Sequence, residues 1–598
     1  MPARTTRPEV RDVRHLGDFT ATPRMLQMTA LAMPIGAAAA CAAWVLQRLI
    51  GLITNAVFHQ QLSWALRAPG QDAHWWVLLA APPVGGLIVG VMARYGSEKI
   101  RGHGMPETIE AVLLGGSKVE PRVAVLKPVS AAVSIGTGGP FGAEGPIIMT
   151  GGAMGSLLAQ FLHLTADERK SLLVAGSAAG MAATFDAPLA SILLAAELLL
   201  FEWRPRSLVP VAAAVSVATV LRGPLLGSGH LFAAAGHLTV RPVDDLLAVV
   251  SGVIAAGLAV VATTLVYLSE DLFHRLPIHW MWWPAIGGLV IGVGGLIEPR
   301  ALGVGYDVID QLLTGRAGMS LVVGILVVKT LIWSLSLGSG TSGGVLAPVF
   351  MIGGALGAVE SHVLPSVFPG FWAMMGLAAV VGGVMRSPLT GVVFPLELTH
   401  AWPAMMPLLI AATTAYLLST LVLKRSVLTE KIARRGLHLT REYSIDPLDA
   451  FFASEVMETA PVTLALDSPA LDIAPDQHLY PVVTAEGELL GAVTGGQLRD
   501  IPADAPKTVA DVLIGDPVTV YDDDTLRQVA NVFAANGVTR APVIERAEHG
   551  RLVGIVSLTA LLHARLHDLT EERHRERQIP LRYLPHRRRG AAEEAART

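Results

Sequence analysis

The sequence predicts a polytopic α-helical membrane fold of two inverted repeats with broken, re-entrant helices, followed by a cytoplasmic α/β unit. Three observations carry that prediction. Of 598 residues, 52% are hydrophobic and only 16% charged, with a mean hydropathy of +0.51. A soluble chain of this length needs far more charge to cover its surface. Apolar stretches of spanning length recur between residues 28 and 423. Finally, the first half of that region is echoed in the second at a nearly constant offset.

The first 27 residues carry Arg4, Arg7, Arg11, Arg14 and Arg24. They are too long and too polar for a secretory leader, so no cleaved signal is expected and the segment reads as cytoplasmic. Residues 28–437 form the expected transmembrane domain, with halves at about 28–222 and 244–436. Its clearest apolar stretches are 28–58, 75–92, 171–200, 246–267, 281–297, 320–337, 371–396 and 405–423. Others, such as 147–161, are short or broken by Gly and Pro. Non-helical backbone at membrane depth is tolerated only where it is buried or lines a polar cavity.

After Leu423 the character changes. Lys424, Arg425, Lys431, Arg434, Arg435 and Arg441 follow within 18 positions and mark that end as cytoplasmic. Residues 438–570 read as soluble α/β with short Val-rich strands, and 571–598 as an Arg/Glu-rich disordered tail. The chain is thus expected in the inner (plasma) membrane with both termini cytoplasmic and the lipid bilayer as its surroundings. A formal net charge of −4 gives no sign of a nucleic-acid partner. The single cysteine, Cys41, excludes a disulfide framework and a multi-cysteine metal site.

The duplication is ordered. Lys127, Ser134, Gly136 and Gly138 match Lys329, Ser336, Gly338 and Gly340, each pair 202 residues apart. Gly142, Pro146 and Gly151-Gly-Ala-Met-Gly155 match Gly344, Pro348 and Gly353-Gly-Ala-Leu-Gly357 at the same offset. Ala187-Pro188-Leu189 with Glu197 answers Ser387-Pro388-Leu389 with Glu397, now 200 apart, and Gly102-His-Gly104 is echoed in Gly303-Val-Gly305. Two related membrane halves with breaks at matched positions are the signature of a transporter whose site lies between them.

Each half carries a loop dense in Gly, Ser and Thr that enters an apolar segment through Pro: residues 136–146 and 338–348. Such a loop leaves the first N–H groups of the next helix unpaired, with the positive end of the helix dipole behind them. An anion is the natural ligand. A third loop, Gly102-His103-Gly104-Met105-Pro106-Glu107, opens a helix in the same way. One Gly-rich break is often just a packing turn; three, two of them in register, favour an anion site. Glu144 lies inside the second loop, and an unpaired carboxylate at membrane depth is costly and seldom incidental.

These loops resemble the three signatures of the CLC family of chloride channels and chloride–proton exchangers, and the likeness runs over roughly residues 28–436. The resemblance implies a homodimer in which each subunit has its own pore. It implies an anion site formed by Gly102, His103, Gly104 and Met105, by Gly142, Ala143 and Gly145, and by Val345 and Leu346. Glu144 stands where the family has its gating glutamate, and Lys127 matches a lysine that adds positive potential or holds structure. Three departures stand out. His103 replaces a chloride-holding serine, though imidazole still donates N–H. Leu428 stands at the pore tyrosine. Glu197-Leu198 replaces a paired Glu-Glu, so the internal proton relay is missing unless Glu202, one turn on, substitutes.

The implied function is transport of chloride-like anions, as a channel or a proton-coupled antiporter, with fluoride or nitrate as the alternative cargo. No catalytic or metal-ligating residue is expected. The C-terminal unit resembles a pair of CBS domains, at about 453–500 and 509–566. CBS domains also accompany divalent-cation transporters and intramembrane metalloproteases. The first need acidic clusters that these loops lack, and the second a His-Glu-x-x-His run that is absent. Nucleotide-binding CBS modules place Asp where this chain has Gln497 and Ala560, which argues against a bound nucleotide; no cofactor is expected.

Overall fold

The computed structural model describes residues 23–69, 73–113, 116–227, 239–436, 451–470, 477–501, 508–546 and 550–564, with 232, 448 and 566. The leader to residue 22, the link 437–447 and the tail from 567 lie outside the described residues. The chain divides into a membrane unit within Phe19–Glu442 and a unit containing Tyr443–Thr598.

The membrane unit begins with α1 (Arg24–Phe58), α2 (Trp75–Tyr95), α3 (Met105–Leu113), α4 (Pro121–Gly136), α5 (Glu144–Phe161) and α6 (Ala166–Phe185). α7 (Pro188–Leu194), which runs on as a π-helical turn to Leu200, and α8 (Pro205–Leu226) complete the first half. The second half holds α9 (Pro242–His274), α10 (Trp283–Ile297), α11 (Tyr306–Leu313), α12 (Met319–Gly324) and α13 (Thr330–Gly338). It ends with α14 (Leu346–Glu360), α15 (Phe371–Met385), α16 (Pro388–Thr399), α17 (Met405–Val422) and α18 (Val427–Arg434). Among the described residues, seven helical stretches are long and apolar enough to cross a membrane.

Two stretches that read as single spans, 171–200 and 371–396, are each two helices. The first breaks at Asp186 and the second at Arg386, both left-handed with φ +58°, two residues ahead of Pro188 and Pro388. Proline disfavours α geometry in the residue before it, and Ala187 and Ser387 are accordingly non-helical, which separates the two helices of each pair. The new ends cap each other across the repeat. Glu197 accepts hydrogen bonds from the N–H groups of Leu389 (3.1 Å) and Thr390 (3.0 Å), at the start of α16. Glu397 does the same for Leu189 (2.9 Å) and Ala190 (2.8 Å), at the start of α7.

Glycine pairs set the closest helix packing, and they too recur. A Cβ on Gly151 would lie 2.2 Å from the Gly176 carbonyl and one on Gly176 would lie 2.1 Å from that of Gly151, so α5 and α6 touch backbone to backbone. Gly353 and Gly376 repeat this between α14 and α15, at 2.6 and 2.2 Å. Close approach of small residues is how helices associate when lipid offers no hydrophobic contrast.

In the second unit β1 (Leu479–Val483) pairs antiparallel with β2 (Leu489–Thr494). β3 (Val520–Tyr521) runs parallel to β4 (Arg540–Ile544), which pairs antiparallel with β5 (Leu552–Ser557). The parallel bridge Leu464↔Val482 answers Val520↔Val543, and the irregularity at Val482/Val483 answers that at Val543/Ile544. The two modules are therefore one motif used twice. They join where the Leu489 N–H donates to the Gly550 carbonyl (2.8 Å) and the Leu552 N–H to that of Gly487 (3.0 Å).

Candidate anion site

The two Gly-rich loops meet. Gly142 and Gly344, repeat mates, form an antiparallel bridge in which each N–H donates to the other's carbonyl, at 3.2 and 2.7 Å. α5 and α14 start immediately beyond it. Their N-cap positions, Ala143 and Val345, have no capping side chain. Pro146 and Pro348 remove one donor from each first turn, which leaves the N–H groups of Glu144, Gly145, Leu346 and Ala347 as the open donors.

Glu144 occupies this space. Its side chain is fully buried, and among the described residues neither carboxylate oxygen completes a hydrogen bond, although its own N–H and that of Ala347 point at it. A Cβ added to Gly142 would stand 1.7 Å from Oε2, and one added to Gly344 would stand 2.5 Å from it. The carboxylate thus lies against both loops, in a gap that exists because neither glycine has a side chain. One negative group sits at the convergence of two helix N-termini.

The third loop hangs from the same framework. The Gly102 N–H donates to the Gly340 carbonyl (3.2 Å), and in the other half the Gly303 N–H donates to that of Gly138 (3.1 Å). The Lys127 ammonium donates to the carbonyls of Ile100 (2.8 Å) and Gly102 (2.7 Å) and to Ser342 Oγ (3.2 Å). Its mate Lys329 donates to the Gly303 carbonyl (2.9 Å). Both lysines are fully buried and each holds a loop by its backbone.

Gly104 packs on Gly145, and the His103 carbonyl lies 1.9 Å from a Cβ built on Gly145. The His103 ring is buried with Nδ1 unpartnered. It lines a cavity of about 1130 Å³ that extends past Glu107 to Lys431 and Arg434 of α18 and to Arg435 just beyond it. Met105 opens α3 and is buried. Leu428 is buried on α18, and the neighbouring Tyr267 hydroxyl donates to the Val427 carbonyl.

The two possible relay residues, Glu197 and Glu202, each have partners of their own. Both oxygens of Glu197 are engaged in capping α16, and Oε2 also accepts from Thr390 Oγ1 (2.6 Å). Glu202 accepts from Ser207 Oγ (2.7 Å) and lies 3.5 Å from Lys170 Nζ. Glu197 is here a helix cap and Glu202 an ion-paired helix flank. Tyr306 escaped the sequence reading; its buried hydroxyl has no hydrogen-bond partner among the described residues and lies in the field of Glu144. It follows Gly303-Val-Gly305, the weak echo of the His103 loop, and that echo was the available signal.

The pattern described as "Voltage gated chloride channel" matches residues 85–420, over half of the chain. The chain belongs to the voltage gated chloride channel family. As a family member it is 30% identical over 401 residues to the H(+)/Cl(-) exchange transporter ClcA of Salmonella arizonae, covering 63% of this chain and 80% of that protein. A slow cyanobacterial Cl-/H+ antiporter shares its fold with a TM-score of 0.59 at 20% identity, over 70% of this chain and 99% of that one. A eukaryotic CLC transporter does so with 0.55 at 21%, over 90% and 97%. A CBS domain matches residues 509–567, the second of the two modules. In the first, Gln497 is locked by its own helix, since Oε1 accepts from the Thr494 N–H and hydroxyl (both 2.8 Å).

Proposed function

We propose that this CLC family member carries chloride-like anions across the membrane along a path that passes Glu144 and leaves through the cavity lined by His103. The observation that carries the proposal is the Glu144 carboxylate, buried without a completed hydrogen bond between two helix N-termini. A site built for one negative charge is filled by a tethered one. When the carboxylate is protonated it loses the charge that holds it there, and a permeant anion takes its place. The reading includes a homodimer with both termini cytoplasmic, and a CBS pair that acts without nucleotide.

The relative named as an exchanger favours coupling anion flux to protons, with Glu144 as the outer proton carrier. Leu198, with Glu197 and Glu202 engaged elsewhere, favours loose coupling or none. Purified protein in liposomes, assayed for chloride, fluoride and nitrate flux alongside proton flux, tests both. Glu144→Gln should transport anions at neutral external pH as fast as wild type does in acid, with no coupled proton movement. A folded, dimeric Glu144→Gln protein with wild-type rate and pH dependence sinks the gate.

A further inference from the structure

Leu428 leaves the inner end of the anion path without the hydroxyl that the family resemblance implies, and the same helix offers a replacement. Residues 428 and 431 are three apart on α18 and so share a face. The Lys431 ammonium lies 2.4 Å from where a Cβ on Gly102 would stand. It fills the space left by that glycine, whose φ of +77° already disfavours a side chain, and it stands beside His103. Lys431 and His103 line the same cavity.

The two lysines nearest this loop differ in what they have left to give. All three donors of Lys127 are engaged, by Ile100, Gly102 and Ser342. Among the described residues Lys431 has one hydrogen-bond partner, Glu107 Oε1 at 2.8 Å. Glu107 does not depend on it, because the same oxygen accepts from Arg435 Nη2 at 3.0 Å. The Lys431 side chain keeps 18% of its surface accessible, against 5% for Glu107. An ammonium has three donors, so two remain for a ligand in the cavity.

We propose that Lys431 is an anion-binding residue of the transport path, and that together with the His103 imidazole it forms a cytoplasmic-side subsite for a small inorganic anion. The pair combines a compact point charge with a fixed ring donor, and so replaces the tyrosine hydroxyl by a charged group. Its counter-charge is Glu107, which keeps the ammonium against the Gly102 loop when the subsite is empty and shares its donors when an anion arrives.

The proposal rests on the anion-transport reading above and is tested on the full-length chain in detergent. Chloride binding is measured by isothermal titration calorimetry, with thermal melting as the check on folding. Lys431→Met should weaken the chloride Kd about tenfold, while Lys431→Arg should stay within about twofold of wild type. Glu107→Gln removes the competing negative charge and should tighten Kd; it serves as the second arm should Lys431→Met melt early. An unchanged Kd in well-folded Lys431→Met, or unchanged or weaker binding in Glu107→Gln, overturns the assignment. If wild type transports chloride and Lys431→Met binds it normally, this inference alone fails. If wild type neither binds nor transports chloride, the transport reading fails first.

Discussion

A methyl group at residue 142 tests the gate without altering the glutamate. The Cβ of Gly142→Ala would stand 1.7 Å from Glu144 Oε2 and 2.3 Å from both Cδ and Oε1. Ordinary contact begins at 3.4 Å, so the carboxylate must withdraw by about 1.7 Å, more than a close-packed site absorbs by relaxing. It has to change rotamer and leave. The three nearest atoms all belong to that one flexible side chain, so the strain falls first on it: about 1 kcal/mol, the low end for overpacking. Gly344→Ala is the contrast, because its Cβ also meets the Gly142 carbonyl at 2.7 Å and the Gly145 nitrogen at 2.9 Å and must break the bridge itself. In liposomes at neutral external pH, Gly142→Ala should pass chloride at least about tenfold faster than wild type, which corresponds to about 1.4 kcal/mol against self-occupation by the carboxylate. On the proposed gate, acid should speed wild type by protonating Glu144, so the faster variant should respond weakly to acid. A folded Gly142→Ala protein with wild-type flux and pH response would refute the claim that the carboxylate lies on the anion path.

Three further outcomes are expected. His103→Ala removes an N–H donor and a titratable ring together, and should change the chloride-to-nitrate flux ratio or its pH dependence; an unchanged ratio and profile would take the imidazole out of the path. Lys127→Met orphans two buried carbonyls and a hydroxyl, and should destabilise the protein by about 3 kcal/mol or more, read as a lower melting temperature in detergent. Lys329→Met, with a single such bond, should cost less. Glu197→Gln weakens a helix cap, so it should lower stability by about 1 kcal/mol and leave any proton flux as in wild type; selective loss of proton flux would restore the relay role.

The sequence carried the repeat, the loops and the position of Glu144, because each depends on residue types that few structures require: Gly where backbones touch, Pro where a donor is unwanted, a carboxylate in an apolar run. It did not carry the helix breaks at Asp186 and Arg386. There a single charged residue, with a proline two positions later, interrupts an otherwise apolar run, too little to register in a hydropathy window. The capping role of Glu197 was illegible for a related reason. Its partners, the N–H groups of Leu389 and Thr390, lie almost two hundred residues away. Nothing local reports a partner of that kind. Lys431 was hidden too, since a basic residue after the last span looks like part of the cytoplasmic charge that orients the chain.

The pseudo-symmetry separates scaffold from function. Wherever the halves agree, the shared group is structural. Gly142 and Gly344 bond to each other, Lys127 and Lys329 each hold a loop carbonyl, and Glu197 and Glu397 cap each other's helices. A duplicated scaffold supplies two converging helix N-termini, but on its own it would bind an anion equally from either side and release it poorly. Direction has to come from residues that the duplication does not share. These are few and they adjoin the site: Glu144 opposite Leu346, His103 opposite Val304, and the α18 segment with Leu428 and Lys431, which follows the second half alone. A titratable carboxylate on one side and a fixed cation with an imidazole on the other make the two exits chemically different. On the proposed reading those substitutions turn a symmetric anion trap into a gated path, so restoring symmetry at residue 144 should remove the gate while leaving the fold intact.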